Sequence, residues 1–275
     1  MRRIAIALLL AVALAAPAAA GGDVRVSRDV VYAQRGGVAV SLDVYRPPTV
    51  GRHRPAVILI HGGGFRRGDK AALAPFGMRL AGRGWVAFSV NYRLAPQFLF
   101  PAGVEDVRAA VRWVREHAQR YGVDPPRIGA LGSSAGANLA AILGTWGSGR
   151  LDRGSRIAAY VSWSGPMDFS IEARARDASS VAHPYLGCSL DQCPETWANA
   201  SPITHVDRTD APAFLANSLD EIVPVANATA MAERLRAVNV PTTVRLVPGS
   251  RHATAYAEDV WADTLSFFDR YLVRR

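Results

Sequence analysis

The stretch that decides the fold is Gly132-Ser133-Ser134-Ala135-Gly136. It follows an apolar run at residues 127–131 and precedes a helical run at residues 138–143. A short apolar run followed directly by glycine predicts a buried strand, so Ser134 is expected on a tight turn between strand and helix. Such a turn exposes the hydroxyl, and the flanking glycines let neighbouring backbone approach closely. The five residues alone also fit a turn of small residues, so their meaning depends on the surrounding chain.

A second glycine-rich stretch, His61-Gly62-Gly63-Gly64-Phe65, follows a predicted apolar strand at residues 56–60. Acyl transfer builds negative charge on a carbonyl oxygen, and each fixed N–H donor aimed at that oxygen stabilises the transition state by about 3 kcal/mol. We therefore predict that Gly63 and Gly64 form an oxyanion hole together with the N–H of Ala135. A phosphate-binding turn is the rival interpretation, but neither G-x-G-x-x-G nor a following Gly-Lys-Ser/Thr is present.

A serine hydroxyl needs a base to accept its proton. In a fold with a G-x-S-x-G turn, the order along the chain is serine, acid, histidine. This order leaves His183, His205 and His252 as candidates downstream of Ser134. His183 and His205 lie in a long irregular segment, whereas His252 follows the last predicted strand. We predict His252 as the base, the alternative being an ordinary loop histidine.

The acid that orients the base should follow the predicted strand at residues 213–218. Asp220 and Glu221 both do so, while Asp207 and Asp210 precede that strand. Asp220 lies too far upstream to cap well the helix expected near Pro224, so a purely structural role does not explain it. We predict Asp220 as the acid, with Glu221 as its close rival.

Apolar strands alternate with helical stretches along most of the chain, which predicts βαβ units and a mainly parallel sheet. A hairpin at residues 24–45 adds two leading strands, so an eight-stranded α/β fold with flanking helices is expected. The clearest helices are predicted at residues 103–121, 224–238 and 256–272. Residues 166–209 fit no simple connection and are expected to form a small lid, since loops of this length usually cover a site.

The chain begins with Arg2 and Arg3, continues with an apolar run, and reaches small residues that end at Ala20. This pattern predicts a signal peptide at residues 1–20 and a secreted or periplasmic protein. A membrane anchor is the alternative, but the run is shorter than the roughly 20 apolar residues that span a bilayer. No later segment is long enough, so we expect no stable membrane insertion. Residues 21–275 are expected to form a single catalytic domain, because no linker composition divides them.

The net charge of the whole chain is +9, and it falls to +7 without Arg2 and Arg3. Arginines supply nearly all of the positive charge and are dispersed, so nucleic-acid binding is not predicted. Cys188 and Cys193 are close enough in an exported chain to form a local disulfide. Their neighbourhood lacks the His or acidic pattern of a tetrahedral metal site.

The chain resembles the esterase/lipase branch of the α/β-hydrolases, particularly hormone-sensitive-lipase-like and feruloyl-esterase-like carboxylesterases. Besides the two glycine motifs, the similarity is carried by Arg67-Gly68-Asp69-Lys70, Asn91-Tyr92-Arg93-Leu94-Ala95, Asp124-Pro125-Pro126-Arg127-Ile128 and Asp220-x-x-Val223-Pro224. The resemblance implies ester hydrolysis through an acyl-enzyme, without a metal or organic cofactor. Because the stretch before His61 is short, we do not expect the N-terminal helical cap of larger members. The serine before Ser134 replaces an acidic residue that many members carry, which favours the cap-poor feruloyl- and acetyl-esterase-like relatives.

The leading hypothesis is an extracellular ester hydrolase for small-molecule or polymer-linked esters. An amide hydrolase, either an arylformamidase or a peptidase, could use the same triad. A binding protein that kept the fold without catalysis is a third possibility, because a fold does not establish a function. Only a few large side chains could wall a long acyl chain, so acetyl to butyryl esters are expected to be preferred. These side chains are Trp163, Phe169, Tyr185 and Trp197.

Overall fold

The computed structural model describes residues 23–174 and 182–273, which form a sheet of eight strands in the order β1-β2-β4-β3-β5-β6-β7-β8. The hairpin β1/β2 and the pair β2/β4 are antiparallel, and the remaining neighbours are parallel. The predicted α/β architecture is therefore confirmed. The strands are β1 (Arg25–Arg35), β2 (Val38–Arg46), β3 (Arg54–Ile60), β4 (Val86–Val90), β5 (Val123–Ser133), β6 (Ala159–Trp163), β7 (Ala213–Ser218) and β8 (Thr242–Val247).

Helices cover both faces of the sheet. They are α1 (Ala74–Gly82), α2 (Ala102–Glu116), α3 (Ala118–Tyr121), α4 (Ala135–Thr145), α5 (Phe169–Arg174), α6 (Ala182–Leu186), α7 (Pro194–Ala200), α8 (Ala226–Ala237) and α9 (Ala257–Leu272), with single 3-10 turns at Lys70–Leu73, Pro202–His205 and Ala253–Tyr256. The helix predicted at residues 103–121 is divided into α2 and α3 by His117, whose φ of −102° and ψ of 12° leave the helical region. Helix α1 was not predicted. Its Gly77 weakens the helical pattern in the sequence. Packing requires this glycine, because a Cβ at position 77 would lie 2.5 Å from the Tyr45 ring.

The central strands are buried on both faces, which explains their continuous apolar sequence. Along β3, Ile58 and Ile60 belong to the same buried cluster as side chains of α2, α4 and α8, whereas Val57 and Leu59 belong to the cluster that contains side chains of α1 and α9. All four side chains are fully buried. Because β3, β5, β6 and β7 run parallel, their carboxyl ends meet at one edge of the sheet.

The described residues of the segment 166–209, which are 166–174 and 182–209, form a small insertion that packs against the core. Tyr185 stacks on Phe65 with ring centroids 3.8 Å apart, and Phe169 packs against Trp197. All these rings are buried, so the large side chains of the insertion hold it against the core. Cys188 and Cys193 form a disulfide within it, with Cα atoms 6.2 Å apart. The predicted signal peptide lies outside the described residues.

An ion-pair cluster joins the leading hairpin to the loop that follows the glycine motif. The Lys70 ammonium lies 2.9 Å from the Asp29 carboxylate and 3.1 Å from that of Asp43, which is buried in β2. Burial alone would lower the pKa of Lys70, but hydrogen bonds to both carboxylates outweigh burial and raise it. The lysine is thus a protonated bridge between two parts of the chain.

Within residues 23–174 and 182–273, no helix combines the length and the apolar character needed to cross a bilayer.

Candidate active site

Ser134 occupies the strained turn that its motif predicts. It stands between β5 and α4 with φ 54° and ψ −120°, a conformation that non-glycine residues rarely adopt. Its N–H donates to the carbonyl oxygen of Trp163 at 2.8 Å, which fixes the turn to the end of β6. Strain of this kind persists only where the surrounding structure enforces it.

The two glycines of the motif are required by backbone packing around this turn. A Cβ on Gly132 would lie 2.1 Å from the carbonyl oxygen of Gly136, and a Cβ on Gly136 would lie 2.1 Å from that of Ile60. These distances are far below any van der Waals contact. Close approach between β3, β5 and α4 therefore explains the motif, and it places the ends of these elements together.

The glycine loop after β3 lies directly against the serine turn. A Cβ on Gly62 would lie 2.8 Å from the Ser133 carbonyl oxygen, and Gly63 has a φ of 122° that favours glycine. Gly63, Gly64 and Ala135 line the same cavity as Ser134. The structure thus brings the three predicted donors to one place, and their binding of an oxyanion stays a prediction.

His61 anchors this loop from behind and does not line the cavity. Its ring is buried, stacks on Tyr92 with centroids 4.5 Å apart, and donates through Nδ1 to the Gly62 carbonyl oxygen at 2.8 Å. The Tyr92 hydroxyl donates to the His61 carbonyl oxygen at 3.0 Å. Burial lowers the pKa of His61, so the ring is neutral. Its role in the described structure is to position the glycines.

The predicted base reaches the cavity, and the predicted acid does not accompany it. His252 lines the cavity with Ser134, and its Nδ1 forms a hydrogen bond with a carboxylate oxygen of Glu221. The Glu221 side chain is fully buried. Asp220 is exposed at the preceding turn position, where its N–H donates to the Gly249 carbonyl oxygen at 3.1 Å. The structure therefore contradicts the choice of Asp220 as the partner of His252, and Glu221, its predicted rival, holds that position.

The physical reason is the path of the turn after β7. Strand β7 ends at Ser218, and the chain must turn before it can point a side chain back toward the sheet edge. At Asp220 the turn still faces solvent, while one residue later it faces inward, and the longer glutamate side chain reaches His252. Neither of the other histidine candidates lines the cavity: His183 is exposed, and His205 stacks on Trp146 with centroids 4.3 Å apart.

Polar groups that sequence reasoning missed hold the Glu221 carboxylate. The N–H of Ser218 donates to Oε1 at 2.8 Å, and the Ser164 hydroxyl donates to the same oxygen at 2.7 Å. Ser164 Oγ also lies 2.7 Å from the Tyr256 hydroxyl and accepts the N–H of Ala253 at 2.9 Å. Burial, with a smaller contribution from the Glu221 charge, raises the pKa of Tyr256, so its hydroxyl stays neutral. The buried charge is therefore satisfied by donors, as a stable buried carboxylate requires.

Ser164 directly follows β6 and connects the turns around it. Trp163 receives the N–H of Ser134, while Ser164 contacts Glu221 and the loop that carries His252. Ser164 itself has a φ of 56°. The only signal in the sequence was its position at a strand end, which does not distinguish it from other serines.

The cavity at these residues has a volume of about 890 Å³. Its apolar lining includes Ala95, Pro96, Pro166 and Ile222, and two exposed arginines, Arg66 and Arg67, stand at its edge. A serine, a histidine paired to a buried carboxylate and the residues of the predicted oxyanion hole line this space. Such a set of groups can perform nucleophilic acyl transfer.

Comparisons with known proteins agree with this geometry. A family model described as BD-FAE matches residues 42–235. Esterase LipC of Mycobacterium tuberculosis (strain ATCC 25618 / H37Rv) is 34% identical over 228 residues, which are 77% of this chain and 56% of LipC. The chain spans about half the length of the curated relatives that it matches.

Two solved structures share the fold over most of their length. A truncated form of a carbohydrate esterase from gut microbiota has a TM-score of 0.81 and 25% identity, and the match covers 91% of this chain and 97% of that one. Thermogutta terrifontis esterase 2 phosphorylated by paraoxon has a TM-score of 0.71 and 25% identity, and the match covers 91% and 93% of the two chains. With a family model over more than half of its length, the chain belongs to the BD-FAE family of α/β-hydrolase esterases.

Proposed function

We propose that the protein is a serine carboxylic ester hydrolase that cleaves short-chain acyl esters through an acyl-enzyme on Ser134. The observation that carries the proposal is the pairing of His252 with the buried Glu221 carboxylate beside the cavity that Ser134 lines. The names of the similar proteins support ester hydrolysis, since LipC and both solved structures are described as esterases.

The proposed reaction assigns one role to each group. Because an ionised carboxylate can only accept a hydrogen bond, His252 Nδ1 carries the hydrogen that it donates to Glu221. Nε2 is then left with a free lone pair. Nε2 takes the proton of Ser134 as Oγ attacks the ester carbonyl carbon. The N–H groups of Gly63, Gly64 and Ala135 stabilise the oxyanion. On collapse, the imidazolium protonates the departing alcohol, and a water molecule then releases the acid by the same steps in reverse.

The small side chains that line the cavity support a preference for short acyl groups. A long acyl chain contributes about 0.8 kcal/mol per CH₂ only where an apolar wall removes it from water. Trp163, Phe169, Tyr185 and Trp197 are buried in the core or the insertion, and none of these described residues lines the cavity. The acyl group therefore meets mainly small side chains, and acetyl to butyryl esters are the proposed substrates.

We also propose that the protein acts outside the cytoplasm and that residues 21–275 form a single catalytic domain. The Cys188–Cys193 disulfide supports the location, because such bonds persist in oxidising compartments.

A fluorophosphonate probe tests the nucleophile directly, because it reacts covalently only with an activated serine. We expect labelling of the wild type and of Ser133→Ala, and none of Ser134→Ala. Peptide mapping of the adduct should place it on Ser134. Equal labelling of wild type and Ser134→Ala would refute the assignment.

A series of 4-nitrophenyl esters from C2 to C16 tests the acyl preference. We expect the highest kcat/KM between acetyl and butyryl, with a marked decline beyond about eight carbons as added CH₂ groups stay in water. A maximum at C10 or longer would contradict the proposal.

A further inference from the structure

The edge of the cavity carries two arginines whose charges no carboxylate of the described residues neutralises. Arg66 and Arg67 are both exposed and both line the cavity. Neither guanidinium forms an ion pair with another residue in the part of the chain that the structure describes. No aspartate or glutamate is among the described residues that line the cavity. Among the described lining residues, a molecule that enters this space therefore meets arginine charges and no carboxylate.

The two arginines begin on the same turn as the predicted oxyanion glycines. The Gly63 carbonyl oxygen accepts the N–H groups of Arg66 and Arg67, at 3.2 Å each. A Cβ on Gly63 would lie 2.0 Å from the Arg67 carbonyl oxygen, so the turn is tight. Because this turn fixes the backbone of both residues, their side chains begin beside the cavity that Ser134 lines.

Other arginines around the site have partners, which distinguishes these two. Arg251, next to His252, pairs with Asp259, and Arg93 pairs with the buried Asp106. Asp69, the carboxylate nearest to Arg67 in the sequence, accepts from the Ala71 N–H at 2.8 Å and from the Asn91 amide at 2.9 Å. Both carboxylate oxygens of Asp69 thus accept hydrogen bonds from groups other than the two arginines.

We infer that Arg66 and Arg67 form a binding subsite for a carboxylate on the substrate, so that the enzyme prefers esters with an anionic group near the scissile bond. The inference rests on the proposed ester hydrolysis and names the substrate class of the same site. A guanidinium matches a carboxylate with two parallel N–H donors, and it remains charged at every physiological pH. The carboxylate can belong to the alcohol part, as in an acetylated sugar acid, or to the acyl part, as in a half-ester of a diacid.

Two matched pairs of substrates separate these positions. On the alcohol side, 4-acetoxybenzoate is compared with its methyl ester, and on the acyl side, monomethyl adipate is compared with dimethyl adipate. For each pair the measured quantity is the ratio of kcat/KM for the anionic ester to that for the neutral ester. The ratio is determined for the wild type, Arg66→Gln, Arg67→Gln and the double variant at low and high ionic strength.

We expect the ratio to fall by about fivefold or more in the double variant for one of the two pairs, because each partly exposed charge pair contributes a small factor. High salt should lower the wild-type ratio in the same direction. The variant with Arg66→Lys and Arg67→Lys should keep part of the ratio, since it keeps both charges but loses the paired N–H donors. Arg234→Gln, which removes an exposed charge from α8, should leave it unchanged.

A ratio that is equal in the wild type and the double glutamine variant, for both pairs, would overturn the subsite. Loss of the ratio in the lysine variant as severe as in the glutamine variant would also overturn it, because loop geometry and not charge would then be responsible. Failure of the proposed function is distinguishable from both outcomes. In that case the wild type would cleave none of the four esters faster than Ser134→Ala.

Discussion

The turn that carries Ser134 follows β5, and the turn that carries Glu221 follows β7, two parallel strands separated by β6. The two turns are held by different forces. The serine turn is fixed by backbone contacts that admit only glycine at Gly132 and Gly136. The acid turn is fixed by hydrogen bonds to the Glu221 carboxylate from Ser164 and the Ser218 N–H. A constraint on backbone space appears in the sequence as a motif, while a constraint from side-chain hydrogen bonds does not.

The serine turn should show the largest effect of any single change. We expect Ser134→Ala to lower kcat by about 10⁶, as removal of such a nucleophile does, because no other group can form the acyl-enzyme. The melting temperature should be nearly unchanged, since the hydroxyl packs little of the core. Steady-state kinetics with 4-nitrophenyl acetate measure the loss, and Ser133→Ala serves as the control. Activity of Ser134→Ala within tenfold of wild type would show that Ser134 is not the nucleophile.

The acid turn offers a direct choice between two adjacent carboxylates. We expect Glu221→Gln to lower kcat by about 10⁴, because the amide can no longer hold His252 in the tautomer with a free Nε2. Asp220→Asn is the matched control and should stay near wild type, since Asp220 is exposed. A greater loss in Asp220→Asn than in Glu221→Gln would show that another arrangement of this turn is the active one.

Ser164 connects the two turns and should have an intermediate effect. Removal of its hydroxyl leaves one oxygen of Glu221 with a single donor from the backbone, so we expect kcat to fall by roughly tenfold, the factor that corresponds to about 1.4 kcal/mol. Ser164→Ala and Ser164→Gly are compared, because glycine tolerates the φ of 56° better than alanine. Similar losses in both variants assign the effect to the hydroxyl, and activity of Ser164→Gly at the wild-type level would assign it to backbone strain.

Asp210, near the end of β7 opposite to Glu221, provides a further test with a smaller expected effect. Burial raises the pKa of Asp210 to about 7, above the value of about 4 in an unfolded chain. Between these values the folded protein holds a proton that the unfolded chain has released, so stability falls as pH rises from about 4 to 7. Asp210→Asn should abolish this part of the decline.

Thermal melts at pH 5 and pH 8 test the change at Asp210. The difference in Tm between the two pH values should be smaller in Asp210→Asn by about 2 °C or more. The exposed Asp191 provides a control, and Asp191→Asn should behave like the wild type. An identical pH dependence in Asp210→Asn and wild type would mean that solvent screens this half-buried group.

Much of the fold was predictable, because the physical causes are local. The strands follow from short apolar runs, and those predicted at residues 56–60, 127–131 and 213–218 correspond to β3, β5 and β7. Helix α1 escaped prediction because Pro75 and Gly77 obscure its apolar pattern, and only the Tyr45 ring explains the glycine. The helices of the insertion escaped prediction because they are short and depend on aromatic packing around Phe65.

The candidate site was predictable to the same degree. Ser134 and His252 follow from a motif and from chain order, and both line the cavity. To choose between Asp220 and Glu221, one must know where each side chain points along the turn after β7. The spacing of residues in the sequence does not give this direction. The contributions of Ser164 and Tyr256 depend on contacts between residues 92 positions apart, so no pattern within the sequence could reveal them.

The burial of Lys70 affects how the protein can be chemically labelled or immobilised. Lys70 is the only lysine in the chain, and its ammonium is buried between Asp29 and Asp43. Amine-reactive dyes and resins attack unprotonated, accessible amines, so the folded protein should offer them its terminal α-amino group and little else. Conjugation under mild conditions would then proceed at one point of the chain, and immobilised molecules would share a single point of attachment.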